Sequence, residues 1–147
     1  MNQKITIINI IIWTFIFIPT WTFAQTDFSR TAVSIDSTYG YTDTNPLRMK
    51  IGNVGKSIGY SYDFLHGLTT HDDQKLKFVQ RTTVDNPNYK RSRTQLTNPD
   101  TEMSLRPKGS ELDRYIFFTS KEKDTVTIYV DVYRKGTLKI PIGLKFK

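Results

Sequence analysis

Ile5 to Ile18 is an apolar run interrupted only by Thr6, Asn9 and Thr14, and it decides how much of the chain is left to fold. Lys4 places a positive charge ahead of it. Pro19 ends any helix there, because proline lacks an N–H and its ring clashes with the preceding turn. Thr22-Phe23-Ala24 then sets small residues one and three places before a cut after Ala24, the pattern of an export signal. A spanning helix needs about 20 apolar residues. Ile5 to Phe23 closes with Pro19, Thr20 and Thr22, so the stretch reads as a cleaved leader rather than an anchor. Residues 1–24 are therefore expected to be a signal peptide. The mature chain is expected to start at Gln25, without a membrane span, in a periplasmic, outer-surface or secreted location.

The chain has no cysteine. That excludes a thiol nucleophile, and a lipid anchor on a new amino-terminal cysteine. It also leaves the core to hold the fold without the disulfides that often staple small exported domains. An aromatic content of 13% helps, because each such ring buries a large area. The net charge is +7, of which Lys4 contributes one unit. A basic balance favours solubility and anionic partners.

Residues 25–36 read as a polar amino-terminal segment anchored by Phe28, Val33 and Ile35, with a strand over Ala32 to Ile35. Residues 37–147 read as a single domain. Leu47, Met49 and Ile51 alternate with Arg48 and Lys50, the period of a strand. Ile58, Tyr62, Leu65 and Leu68 fall at helical spacing beside Phe64, and Ser57 is placed to cap that helix. Gly59 and Gly67 each weaken it by about 1 kcal/mol against alanine, so packing must hold it.

Leu76 to Val84 is rich in β-branched and aromatic residues and predicts a strand. Residues 85–108, with Pro87, Pro99 and Pro107, predict a long surface loop. Tyr115 to Thr119 and Val126 to Tyr133 predict two strands joined by a short charged turn, hence an antiparallel hairpin. Leu138 and Ile140 pair briefly before Pro141, which belongs at an edge. The expected fold is α+β: a small antiparallel sheet of about four to six strands with one short helix on one face. The expected apolar sheet face is Leu76, Phe78, Ile116, Phe118, Ile128, Val130 and Val132.

The ordered landmarks are Tyr39-Gly40-Tyr41-Thr42, Asn45-Pro46-Leu47, a glycine-bearing loop and Phe64-Leu65-His66-Gly67-Leu68. Leu112-Asp113-Arg114-Tyr115, Ile128-Tyr129-Val130-Asp131-Val132-Tyr133 and Pro141-Ile142-Gly143-Leu144 follow. Over Ser37 to Leu144 this order resembles a family of small, uncharacterised exported proteins of Bacteroidota-type bacteria, with the pattern YGYT, NPI, a YLNAL-like helix, LYxxxY and PxGF. The family's frequent cysteine pair and lipoprotein cysteine are missing from this chain. Some of those relatives carry the label 2-dehydro-3-deoxyphosphooctonate aldolase. That enzyme is a (β/α)₈ barrel, a fold that needs about 200 residues or more, and this chain has no alternation of strands with long helices.

No catalytic constellation stands out. His66 and His71 are the only histidines, and with Asp72 and Asp73 they are candidate metal ligands. They are five residues apart, which does not place both on one helical face, so no metal or other cofactor is assigned. Asp131 with Asp113 or Glu111 is the candidate acid pair for a glycan hydrolase. No G-x-S-x-G elbow is present. Tyr89, Lys90, Arg91 and Arg93 join an aromatic ring to clustered positive charge and are ligand-binding candidates for an acidic group, with Arg81 nearby. Tyr39 and Tyr41, with Tyr129 and Tyr133, suit either a ligand surface or the half-buried face of a sheet.

The expectation is a non-enzymatic envelope or secreted binding module. Its partner is an anionic envelope component or another protein, and export argues against nucleic acid. A small hydrolase acting on envelope glycan or peptide is the alternative. The sequence sets no oligomeric state.

Overall fold

The computed structural model describes residues 26–90, 98–100, 107–119 and 124–147. Seven elements follow one another: β1 (Leu47–Arg48), α1 (Val54–Gly67), β2 (Leu68–Thr70), β3 (Leu76–Asp85), β4 (Glu111–Thr119), β5 (Thr125–Asp131) and β6 (Leu144–Phe146). The fold is α+β. One sheet runs β1-β5-β4-β3 and a second pairs β2 with β6. The β4–β5 pair is antiparallel, as the short connection after Thr119 requires, the β3–β4 pair is antiparallel too, and β1 lies parallel to β5.

The register separates two faces. Across the sheet, Arg81 pairs with Tyr115 and Tyr115 with Ile128; Thr82 pairs with Arg114 and Arg114 with Tyr129. The first set turns to the core and the second to the opposite face. Tyr115 and Phe117 are buried, with rings 6.4 Å apart and nearly parallel. Phe118 is 44% exposed. The core side of β4 is thus Tyr115 and Phe117, not the expected Ile116 and Phe118. Both parities of Tyr115-Ile116-Phe117-Phe118 are apolar, so alternation alone does not choose. The side taken is the one on which the rings pack together: Tyr115 and Phe117 lie against each other and against Phe78. Ile128, Val130 and Val132 are buried as their spacing implies, and Leu76 joins them. Phe78 shares the core side, against Tyr115 and Phe117, but remains 44% exposed.

The helix begins four residues before the expected Ile58. Asn53, not Ser57, is its cap: in an extended conformation its Oδ1 accepts from Lys56 N at 2.9 Å. Ser57 lies inside the first turn, fully buried, where its Oγ donates to Asn53 O and accepts from Ile51 N. The buried stripe is Ser57, Ser61, Phe64 and Leu65, and Tyr62 points outward over His66. Two serines one turn apart leave room for Tyr115, which an apolar-only pattern does not register. The helix stops at Gly67, and Leu68 opens β2 with extended backbone.

The expected strand from Leu47 to Ile51 is shortened to Leu47–Arg48. Met49 N and Lys50 N still donate to Asp131 O and Arg134 O, and Ile51 turns out to solvent. The expected strand over Ala32 to Ile35 reduces to one bridge, Val33 with Ile140. Val33 and Ile35 are exposed and do not anchor the segment. Phe28 does: its ring lies 5.0–5.3 Å from Tyr60, Phe64 and Phe146, closing the gap between α1 and β6. Among the described residues, no helix is long and apolar enough to cross a membrane.

Candidate functional site

The sequence candidates fall in separate places. Arg91 and Arg93 lie outside the described residues. Tyr39 and Tyr41 are committed to the carboxy-terminal segment. Tyr39 Oη donates to Thr137 O at 3.3 Å and accepts from Lys139 N at 3.2 Å, and Tyr41 Oη donates to Ile142 O at 2.6 Å. Burial raises both phenols above the usual tyrosine pKa. Between them, Gly40 has positive φ and packs against Leu47 and Pro141, a position that only glycine fills without strain. The Tyr39-Gly40-Tyr41 block is thus a clamp on residues 137–142.

Tyr89 and Lys90 leave a short, firmly held stem. Asn86 is buried, its N donates to Ser110 O at 2.8 Å, and its Nδ2 donates to Gly109 O at 2.9 Å. Its Oδ1 accepts from Asn88 N, and Tyr89 N closes a turn on Asn86 O. Asn88 Nδ2 donates to Thr44 O at 2.8 Å, and Asn88 O accepts from Arg134 Nη2 at 2.8 Å. One asparagine therefore ties the start of the loop both to the turn after the tyrosine clamp and to the segment after β5. Proline and asparagine density signalled a loop here; nothing local signalled its partners, which lie 44 and 46 positions away.

Arg134 is oriented from below by Asp131. This carboxylate is 1% exposed, its Oδ1 accepts from Tyr133 N and Arg134 N, and its Oδ2 lies 3.6 Å from Arg134 Nε. The Arg134 guanidinium is thus held at the surface over a buried counter-charge. Lys50 N donates to Arg134 O, and the Arg48 side chain packs over Gly136, where an added Cβ would sit 2.7 Å from Arg48 Cβ. Arg48, Lys50, Arg134 and Lys135 therefore converge at one end of the sheet, beside the stem that carries Lys90. Arg48, Lys50, Lys90 and Lys135 are all exposed, as are two carboxylates nearby: Asp43 on the adjoining turn and Asp85 at the end of β3. What drew attention in the sequence was Tyr89 and Lys90; the contribution of Arg48, Lys50, Arg134 and Lys135 comes only from the fold.

The acid candidates do not form a pair. Asp113 pairs with Val130, which puts it on the core side, and Asp131, one residue on, belongs to the opposite side. Asp113 is bound by Arg81, whose Nη2 lies 2.9 Å from each carboxylate oxygen and whose guanidinium carbon is 5.8 Å from the Tyr115 ring centre. Burial raises the Asp113 pKa, and the Arg81 hydrogen bond and charge work against that rise. Burial alone would lower Arg81, and the hydrogen bond and charge of Asp113 raise it.

Glu111 is half-buried at the start of β4. His71 stands in the turn after β2, its N donating to Gly143 O. His66 packs on Tyr62, with ring centres 3.9 Å apart, in an open groove of about 1010 Å³ that Asp27, Asp63 and Lys147 also line. Asp73 is held by Lys145 Nζ at 2.9 Å. Among the described residues, no three His, Cys, Asp or Glu side chains gather as a metal site.

No protein-family model, curated protein or solved structure significantly matches the chain.

Proposed function

We propose that this chain is an exported, non-enzymatic binding module whose basic end holds an anionic envelope component. The observation that carries the reading is the convergence of Arg48, Lys50, Arg134 and Lys135 beside the loop stem, over a buried Asp131 carboxylate whose Oδ1 is hydrogen-bonded and whose Oδ2, among the described residues, meets only the Arg134 charge. Arg134 over Asp131 and Arg48 over Gly136 are held in place and attract an anion at little ordering cost, and the exposed Lys50 and Lys135 add charge beside them. The apolar leader and Thr22-Phe23-Ala24 support export.

The test is retention of the exported protein on a sulfated or carboxylated polymer and on envelope fractions at about 0.15 M salt, where charges on opposite sides of the molecule are screened from one another. Lys50→Glu with Lys135→Glu is expected to weaken retention about tenfold, since each reversal replaces an attraction with a repulsion. Absence of retention in the unaltered protein overturns the reading.

A further inference from the structure

We infer that the open face of the four-stranded sheet is the track on which an acidic polysaccharide lies. This rests on the anion-binding reading above and adds the ligand's class and its path.

The register lays out three adjacent rows on the side away from α1: Tyr129 beside Arg114 and Thr82, then Thr127 beside Ile116 and Gln80, then Thr125 beside Phe118 and Lys77. Arg114 is fixed by a 3.0 Å hydrogen bond from Nε to Thr82 Oγ1. Phe118 is 44% exposed, Lys77, Gln80 and Thr125 are exposed, and the other side chains of these rows are half-buried. Among the described residues, these rows contain two cations and no carboxylate. Beyond the Tyr129 row, Arg48 sits opposite Asp131 on the same side of the sheet. Asp131 and Leu112, which share that side, are both buried, so the open face stops at the Tyr129 row and Arg48 borders it.

The chemistry of the face selects among anions. Tyr129 and Phe118 lie four strand positions apart, about 14 Å along the sheet. Such rings stack on the C–H faces of sugar rings, and hydroxyl and amide side chains between them hydrogen-bond sugar hydroxyls. A protein partner calls for a buried apolar centre, and here the middle row sets one isoleucine between a threonine and a glutamine. A sheet face that sets a ring beside a cation in each of its two outer rows suits a chain of several sugar units carrying carboxylate or sulfate groups.

The experiment measures the affinity of the exported protein for polygalacturonate, neutral dextran, polyglutamate and single-stranded DNA. Polygalacturonate is expected to bind at least about tenfold more tightly than the others. Phe118→Ser and Tyr129→Ala are each expected to weaken it by about five- to tenfold, the loss of one stacked ring. Phe118→Trp keeps a ring in place, and Trp13 and Trp21 are absent from a chain that starts at Gln25. Its emission is then expected to shift on saturation with polygalacturonate, which reads contact even where Tyr129→Ala fails to fold. Equal binding of polyglutamate or DNA overturns the sugar class. Binding that is lost with Lys50→Glu and Lys135→Glu, but unmoved by Phe118→Ser and without a shift in Phe118→Trp, overturns the track and leaves the anion-binding reading standing. No binding to any of the polyanions overturns both.

Discussion

Arg134 Nη2 donates to the carbonyl of Asn88 at 2.8 Å, joining the segment after β5 to the entrance of the long loop. The same Asn88 reaches Thr44 O through Nδ2. Asn88→Ala removes the bond to Thr44 O and the longer one to Asp43 O, and is expected to cost about 1 kcal/mol. The more telling readout is local: amide exchange at Asn88 and Tyr89 is expected to quicken while the β4 and β5 amides keep their protection. Uniform loss of protection would show that the stem is not a separate unit.

Two glycines of α1 are expected to respond in opposite directions to the same substitution. A Cβ at Gly67 would collide with the edge of the Phe146 ring, whereas one at Gly59 meets nothing within 4 Å. Gly67→Ala is expected to destabilise by about 1–3 kcal/mol through overpacking. Gly59→Ala is expected to stabilise by about 0.5–1 kcal/mol, since alanine is the better helix former. Thermal or urea unfolding of the two variants beside the parent checks both signs.

The Arg81–Asp113 pair predicts a pH dependence. Burial holds the folded pKa of Asp113 above its unfolded value. Its contribution to stability is therefore fully present below the unfolded pKa and is lost as pH rises through the folded one. Arg81→Met removes the cation that restrains this rise and leaves a buried carboxylate without its partner. The variant is expected to lose about 2–3 kcal/mol at neutral pH, at the lower end for a broken pair because Arg81 is partly exposed. The deficit is expected to shrink as the solution is acidified and Asp113 protonates. Urea midpoints for parent and variant at several pH values measure it, and a deficit that stays constant with pH would contradict the account.

The tyrosine clamp separates structure from binding. Tyr41→Phe deletes the 2.6 Å bond to Ile142 O, and Tyr39→Phe leaves Lys139 N without its acceptor. Each is expected to cost about 1 kcal/mol of stability. Affinity for polygalacturonate is expected to stay within twofold of the parent for Tyr41→Phe, whose hydroxyl is spent on Ile142 O, whereas the Tyr39 phenol lies within reach of the Arg48 charge, so Tyr41→Phe is the structural control. A larger change in affinity than in stability would return Tyr41 to the binding surface.

The parts legible in the sequence are those governed by short-range periodicity. Val126, Ile128, Val130 and Val132 alternate with polar partners, and the strand they imply is present with that parity. Ambiguity entered where both parities were apolar, as at Ile116-Phe117-Phe118, and was resolved only by the packing of Tyr115 and Phe117 against Phe78. Asn53 and Ser57 are comparable cap residues, and what separates them is that Ser57 is needed inside. Of the surface now assigned, Tyr89 and Lys90 were visible as a local cluster. Arg48, Lys50, Arg114 and Arg134 were ordinary charges until the parallel β1–β5 pair and the β4 register aligned them. Long-range register leaves no mark on local composition.

The Phe28 ring packs at a tilt against Phe146, so the two ends of the described chain complete one another's packing. For a chain threaded across a membrane from its amino end, as proposed here, this contact sets an order of events. If the chain crosses in this way, the contact can form only when Phe28, four residues beyond the proposed cut after Ala24, and Phe146 stand on the same side of the membrane.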